Sequence, residues 1–197
     1  CEKLRIIMIK EDVTINCSAA SAFEGTASNL EIYVKNTTAI TTLCEKNVNK
    51  YIEQAKIGDF IHYVVTTDKK MVMYGMEAMN AVTKGNQPWI DQKEKIETVI
   101  IDEDITTLEA YSFTEMTNLK QVTLPTSLIS IGTYAFSQSG ITTITIPKNV
   151  TTIGEYAFKQ CKSLESISVD INNNAYVSDE RGVLFNNNKS VLIQYPI

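Results

Sequence analysis

Three segments in the C-terminal half of the chain repeat one pattern of apolar residues at nearly constant spacing. Phe113, Phe136 and Phe158 mark the register, with separations of 23 (136 − 113) and 22 (158 − 136) residues. Every other apolar column of these segments keeps the same two spacings. Self-similarity at such a period indicates a solenoid, in which each repeat buries its apolar face only by stacking on its neighbours.

Each repeat contains a short strand pattern in which aliphatic residues alternate with polar ones, as in Leu164-Glu-Ser-Ile167-Ser-Val169. Repeats of 20–29 residues that carry such a strand are typical of leucine-rich repeats. We therefore predict a mostly β fold with short helices, an α/β right-handed leucine-rich-repeat solenoid of 22–23-residue repeats. A helix-plus-hairpin segment is predicted to interrupt it.

The predicted solenoid divides into four segments. They are degenerate or truncated repeats over 1–36, an intervening helix and β-hairpin over 37–95, regular repeats over 96–170 and a C-terminal capping or interrupting β-hairpin element over 171–197. Between Thr37 and Ala55 the apolar residues recur every three or four positions, which favours one helix or two short ones. Two apolar runs, 60–65 and 71–74, flank a polar turn and predict the hairpin.

The first residues, Cys1 to Ile9, match Cys161 to Val169 in register. One interpretation is that Cys1 lies inside a repeat and that the chain is a fragment of a longer array. The alternative is that Cys1 is the lipid-anchored first residue of a processed bacterial lipoprotein.

Composition argues against several functional classes. The net charge is −5, and Arg5 and Arg181 are the only arginines, so the basic footprint of a nucleic-acid-binding protein is missing. No stretch approaches the roughly 20 apolar residues that cross a bilayer. The four cysteines show no C-x-x-C spacing, so no zinc or redox motif is predicted. For Cys161 a packed free thiol is favoured over the alternative of a disulfide.

No catalytic or metal-binding set is predicted, and neither is any cofactor. His62 is the only histidine, and its apolar strand favours a half-buried packing role over a general base. Asp102, Glu103 and Asp104 could indicate calcium or acid–base chemistry, but EF-hand spacing is absent and a solvated turn is favoured. We therefore predict a non-enzymatic protein.

Two columns of side chains are candidates for partner binding. The outward positions of the predicted strands form a nearly uncharged hydroxyl face able to hydrogen-bond a peptide or glycan, although Thr is also an ordinary exposed strand residue. One tyrosine per repeat could form a tyrosine strip with polar tips, or each ring could simply cover the edge of the next repeat. The hydroxyl face comprises Gln121, Thr123, Thr143, Thr145, Ser166 and Ser168, preceded by Thr98 and Ile100, and the tyrosine strip comprises Tyr111, Tyr134 and Tyr156. Trp89 is either an exposed anchor or a plug between the hairpin and the first repeat.

The repeats resemble the BspA-type leucine-rich repeat family of bacterial and protist cell-surface proteins. The family pattern is roughly P-x-x-V-T-x-I-G-x-x-A-F followed by C-x-x-L-x-x-I-x-I. It is carried by Pro147, Val150, Thr151, Ile153, Gly154, Ala157, Phe158, Cys161, Leu164, Ile167 and Val169. Weaker matches extend from Gly182 to Pro196 and from Met73 to Trp89. Glu109 and Ser112 depart from the pattern, which suggests local repacking.

This resemblance implies extracellular or cell-surface display and binding, with adhesion described for some members. The predicted function is thus a binding module that mediates protein–protein or cell adhesion through a solenoid face, with a protein or glycan ligand. A structural spacer of a larger surface protein and a carbohydrate-binding module are the alternatives.

Overall fold

The structure is a computed structural model that describes residues 6–9, 31–35, 42–43, 46–57, 61–75 and 77–197. It divides into two compact units. One comprises Cys1–Gln54 with Val64–Asp68, and the other comprises Ala55–Tyr63 with Lys69–Ile197. The register match predicted for Cys1 falls outside the described residues, as does most of the degenerate repeat.

The first unit contains parallel strands. Strand β1 (Ile6–Ile9) pairs in parallel with β2 (Glu31–Lys35), and β2 pairs in parallel with β4 (Lys46–Lys56). The two-residue strand β3 (Thr42–Leu43) pairs antiparallel with the start of β4. Parallel neighbours separated by an intervening chain segment are what successive solenoid turns produce.

The helix predicted between residues 37 and 55 is wrong over residues 42–43, which form β3, and over residues 46–55, which belong to β4. Apolar spacing of three or four residues over a short window does not separate a helix from a strand. Asn47 and Asn49 are poor helix formers, and the parallel pairing of Val48 opposite Ile32 satisfies the backbone of this segment. The residues of 37–55 outside β3 and β4 lie outside the described part of the chain.

Two strands lie where the hairpin was predicted, β5 (Ile61–Thr66) and β6 (Lys70–Gly75). The residues between them form a turn in which Lys69 has a φ of 67°. Strand β6 pairs in parallel with the first strand of the regular repeats. The last segment before those repeats ends in a 3-10 helix, Ile90–Lys95.

The regular repeats supply strands to two sheet layers. The first layer comprises β8 (Thr98–Ile101), β10 (Gln121–Thr123), β12 (Thr143–Ile146) and β14 (Ser166–Val169). The second comprises β9 (Ile105–Leu108), β11 (Ser130–Ile131) and β13 (Thr152–Ile153), and β7 (Glu77–Ala78), from the segment before the repeats, pairs in parallel with β9. Pairing within the layers is parallel, for example β12 with β14 and β11 with β13. The predicted mostly β solenoid is confirmed.

A column of aromatic rings fills the core of the repeats. Phe136 is fully buried, and its ring lies 5.3 Å from Phe113 and 5.6 Å from Phe158, stacked on both. Trp89 continues the column, with its ring 5.7 Å from that of Phe113. Stacked aromatic pairs contribute about 0.5–1.5 kcal/mol each beyond the area they bury. The residue that marks the period in the sequence therefore also joins neighbouring repeats.

The glycine that follows the aliphatic residue of the second strand allows the repeats to approach closely. A Cβ added to Gly132 would overlap the backbone of Ala110, and one added to Gly154 would overlap the backbone of Thr133. Glu109 occupies this position in the first regular repeat. The departure from the family pattern thus falls in the first of the regular repeats.

After β14 the chain forms a three-stranded antiparallel sheet of β15 (Tyr176–Ser178), β16 (Leu184–Asn186) and β17 (Leu192–Gln194). This C-terminal sheet supplies polar groups to the last repeat. The Tyr176 hydroxyl accepts a hydrogen bond of 2.8 Å from the backbone N–H of Ile153 in β13. The Gly182 carbonyl accepts one of 3.1 Å from the N–H of Ile167 in β14.

Candidate functional site

The three tyrosines of the predicted tyrosine strip are in contact. The ring centroids of Tyr111 and Tyr134 are 5.3 Å apart and the planes differ by 4°. Those of Tyr134 and Tyr156 are 5.1 Å apart, with the planes at 28°. The rings of Tyr111 and Tyr134 are half-buried and that of Tyr156 is 54% exposed. The strip is therefore a continuous aromatic surface that becomes more open toward the last repeat.

Each of these tyrosines has a left-handed backbone conformation. The φ angles are 62° at Tyr111, 56° at Tyr134 and 59° at Tyr156. A residue with a Cβ rarely adopts this region, which glycine enters without steric cost. The turn that closes the second strand of each repeat imposes the conformation, and it turns the tyrosine side chain outward while Phe two positions later points into the core.

One lysine lies against the strip. The ammonium nitrogen of Lys159 is 4.9 Å from the ring centroid of Tyr156 and 5.8 Å from that of Tyr134. An ammonium group at this distance is attracted by the negative face of the ring. Thr114 and Ser137 occupy the equivalent position in the other two repeats, so the cation is confined to the last repeat.

The opposite end of the strip carries an ion pair. Lys84 Nζ lies 2.7 Å from Glu115 Oε1, and Lys93 Nζ lies 3.9 Å from Oε2. The hydrogen bond from Lys84 lowers the pKa of Glu115 and in turn raises the pKa of Lys84. A groove of about 280 Å³ runs between the two ends, and Lys84, Tyr111, Tyr134, Gln138, Lys159 and Gln160 are among the residues that line it.

The predicted hydroxyl face lies on the first sheet layer. Gln121, Thr123, Thr143, Thr145 and Ser168 are exposed, whereas Ser166, Thr98 and Ile100 are half-buried. Thr143 is opposite Ser166 and Thr145 is opposite Ser168 in the parallel register. The backbone of Gly182 packs against Ser166, where a Cβ on that glycine would come within 2.5 Å of the Ser166 Cβ. The C-terminal sheet therefore covers part of this face.

The structure also shows what surrounds three other residues that the sequence analysis singled out. His62 is half-buried and stacks on Tyr74 with ring centroids 5.6 Å apart. Trp89 is 1% exposed, which makes it the plug and excludes the exposed anchor. The Cys161 thiol is free and buried, as predicted; it donates a hydrogen bond of 2.9 Å to the Phe136 carbonyl, and burial raises its pKa.

The acidic turn joins two repeats. Glu103 Oε1 accepts a 3.0 Å hydrogen bond from the backbone N–H of Thr126, and Oε2 accepts hydrogen bonds from the Thr126 hydroxyl and the Ser127 N–H. Among the residues whose side chains are described, no three His, Cys, Asp or Glu residues form a group able to hold a metal ion. None of the described helices is long and apolar enough to cross a membrane.

Lys159, Lys84 and Glu115 were missed by the sequence analysis. A lysine three positions after the tyrosine of the third repeat was visible in the sequence, but lysine is common in exposed turns and the signal is weak. The approach of Lys84 to Glu115 joins residues 31 positions apart (115 − 84). No local sequence pattern predicts a contact between residues so far apart in the chain.

This geometry is that of a leucine-rich-repeat scaffold, in which parallel strands and stacked aromatic rings recur from one repeat to the next. Residues 91–192 match six copies of the BspA type leucine rich repeat region. The chain belongs to this family, whose fold is generally non-enzymatic. No curated protein matches the chain.

Several solved bacterial structures are similar to the chain. A leucine-rich repeat protein from Eubacterium ventriosum is 26% identical with a TM-score of 0.45, and the match covers 73% of this chain and 50% of that one. The pneumococcal vaccine antigen PcpA is 17% identical with a TM-score of 0.46 (72% and 57% covered). A leucine rich cell surface protein from Faecalibacterium prausnitzii is 17% identical with a TM-score of 0.30 (73% and 62% covered). The chain thus spans between half and two thirds of the length of these proteins.

Proposed function

We propose that the protein is a non-enzymatic binding module, displayed at the cell surface or secreted, that mediates protein–protein contact or cell adhesion. Its ligand is a protein or a glycan, and the tyrosine strip is the principal contact surface. Membership of a family associated with surface display supports the location. The observation that carries the choice of surface is the presence of a stacked, left-handed tyrosine in all three repeats.

Tyrosine is a strained choice at these positions. A left-handed conformation costs a residue with a Cβ roughly 1–2 kcal/mol, and the strip contains three such residues, whereas glycine would be unstrained there. The two stacked pairs contribute about 0.5–1.5 kcal/mol each beyond the area that the rings bury. An aromatic ring at the surface of each repeat, partly exposed in two repeats and 54% exposed at Tyr156, supports a role in recognition.

The strip offers a ligand two kinds of contact. The outer ring surfaces are flat and apolar, and each ends in a hydroxyl that both donates and accepts hydrogen bonds. Lys159 adds a positive charge at the most exposed end. The exposed Thr143 and Thr145 of the hydroxyl face supply a second, uncharged surface. Individual contacts of this kind are modest, and presentation of several copies multiplies their effect.

The test is binding of the purified chain, free and multimerised on beads, to a panel of extracellular-matrix proteins and mucin-type glycans. A variant with Tyr111, Tyr134 and Tyr156 all replaced by alanine is expected to lose binding, provided that circular dichroism shows it to be folded. A matched variant with phenylalanine at the same positions keeps the rings and removes only the hydroxyls. Unchanged binding by the alanine variant would show that the binding site does not include the tyrosine strip.

A structural spacer is the second candidate, favoured by the repeated inter-repeat contacts that make the array stiff. Asn118 and Asn149 each donate a side-chain hydrogen bond of 2.8 Å to a carbonyl of the preceding segment, at Glu94 and Thr126. A structural spacer is expected to bind none of the ligands in the panel. Absence of binding by the multimerised parent protein across the whole panel would favour it, whereas binding to glycans alone would favour a carbohydrate-binding module.

A further inference from the structure

Two adjoining depressions on the flank of the repeats share a pair of glutamine side chains. The first is the groove of about 280 Å³ that contains Tyr111 and Tyr134, and the second has a volume of about 380 Å³. Gln138 and Gln160 line both, and we call the two depressions together the double groove. Each depression draws residues from all three regular repeats, and the turns of Tyr111 and Tyr134 are hydrogen-bonded to the repeat that follows each of them. The double groove therefore runs along the side of the array.

The lining of the double groove is polar, aromatic and basic. None of the described residues that line it is aspartate, glutamate or an aliphatic residue. Three are lysines, although the net charge of the protein is −5. Five carry a serine or threonine hydroxyl, namely Thr114, Thr117, Ser137, Ser139 and Ser163. Such a lining suits a ligand that is itself polar and negatively charged.

The lysines around the double groove carry more charge than nearby carboxylates neutralise. Glu115 is shared by two of them, with Lys84 Nζ at 2.7 Å from one carboxylate oxygen and Lys93 Nζ at 3.9 Å from the other. Lys159 forms no ion pair with any carboxylate in the described part of the chain, including that of the neighbouring Glu155. Lysines that line a cleft without matching acids create a positive potential, which concentrates anions there.

The two shared glutamines offer hydrogen bonds of both kinds to a ligand. Gln138 Nε2 donates a 2.7 Å hydrogen bond to Gln160 Oε1, and both side chains are exposed. The pair therefore retains an acceptor at Gln138 Oε1 and a donor at Gln160 Nε2. A hydroxyl group both donates and accepts hydrogen bonds, so one sugar hydroxyl can bind either end of this pair. The apolar C–H groups of a sugar ring can pack against the exposed part of the Tyr134 ring.

We propose that the double groove binds an acidic oligosaccharide, whose sugars carry carboxylate or sulfate groups. The proposal rests on the binding role proposed above for the tyrosine strip, and it specifies the ligand of that strip. Lys159 and Lys162 contact the acidic groups, while Gln138 and Gln160 bind sugar hydroxyls. Peptides are recognised by strand addition or by pockets for apolar side chains. The described lining residues all lie outside strands and include no aliphatic side chain, so the lining favours a glycan over an acidic peptide.

The test is isothermal titration calorimetry of the full chain with hyaluronan oligosaccharides, which carry carboxylates, and with chondroitin sulfate oligosaccharides, which also carry sulfates. Chitin oligosaccharides of equal length are the neutral control. The acidic chains are expected to bind roughly two- to thirtyfold more tightly than chitin, which is the range for two exposed ion pairs. Added salt should reduce this difference because it screens exposed charges. Binding of hyaluronan would identify carboxylate as sufficient, and binding of chondroitin sulfate alone would identify sulfate as the group required.

Two double variants separate the proposed site from general attraction of a polyanion. Lys159→Gln combined with Lys162→Gln removes two charges that form no ion pair with a described residue. This variant is expected to bind the acidic chains only as tightly as chitin. The matched control, Lys148→Gln combined with Lys189→Gln, removes two exposed lysines outside the double groove and should leave the affinity unchanged. Equal losses in the two variants would overturn the proposal.

NMR locates the site and distinguishes the remaining outcomes. The side-chain amide signals of Gln138 and Gln160 are expected to shift on binding, and shifts confined to Thr143 and Thr145 would refute the site. Equal affinity for chitin and for the acidic chains would refute an acidic ligand. If binding to matrix proteins were lost in the triple tyrosine variant while no acidic glycan bound the parent protein, this proposal would fail and the function proposed above would stand. Tighter binding of a poly-glutamate peptide at the same glutamines would assign the double groove to acidic peptides instead.

Discussion

Replacing Phe136 with alanine removes a fully buried ring that stacks on two others, at 5.3 Å and 5.6 Å. Truncation of a core phenylalanine costs about 3–5 kcal/mol. Because two stacked pairs are lost together, we expect a value toward the upper end, about 4–5 kcal/mol. Phe158 stacks on one phenylalanine ring, so Phe158→Ala is expected to cost less by about one aromatic pair, or 0.5–1.5 kcal/mol.

The assay is equilibrium unfolding in urea followed by circular dichroism, with the free energy of unfolding extrapolated to water. Thr143→Ala, at an exposed strand position, is the matched control and is expected to change stability by no more than about 0.5 kcal/mol. A loss below about 1 kcal/mol for Phe136→Ala would refute its place in the core. An equal or larger loss for Phe158→Ala would refute the argument that stacking on both sides adds stability.

Four further outcomes are expected. Glu103→Ala removes three hydrogen bonds between neighbouring repeats and should lower the free energy of unfolding by about 1–2 kcal/mol in urea titrations; no change would contradict a joining role. The folded-state pKa of Glu115 lies below its ordinary value of 4.5 because Lys84 donates a hydrogen bond to the carboxylate. The contribution of this ion pair to stability is therefore complete above about pH 4.5 and is lost as the pH falls through the folded-state pKa. NMR titration should show that Lys84→Met returns the Glu115 pKa toward its usual range. An unshifted Glu115 pKa in the parent protein would contradict the effect assigned to Lys84. Cys161, whose thiol pKa is raised by burial, should resist alkylation at pH 8 until the protein unfolds, as read by mass spectrometry of its peptide. Gly154→Ala should be destabilising in thermal melts, since its Cβ would overlap Thr133, and an unchanged melting temperature would show that the repeats can separate.

Much of the fold could be predicted from the sequence because a solenoid is built from local repetition. The columns that include Phe136 and Ile144 keep one period, and the structure places both in the core. Outward positions such as Thr143 and Thr145 followed from strand alternation alone. The helix predicted before the hairpin failed for the opposite reason. That segment contains no repeat, and pairing of β4 with β2, whose Ile32 faces Val48, overrides a weak local pattern.

The sequence by itself determined the repeat length, the inward and outward columns, and the fact that the tyrosines lie in register. These properties depend on spacing along the chain, which the backbone periods of strand and turn convert directly into position. Only the tertiary structure decided that the tyrosines stack in a left-handed conformation and that Lys159 lies against them. It alone shows that the N–H groups at Tyr156 and Phe158 have no acceptor among the described residues. Such contacts arise when separate repeats, or a repeat and the C-terminal sheet, pack together. The pattern within one repeat does not determine which backbone groups remain unpaired after that packing.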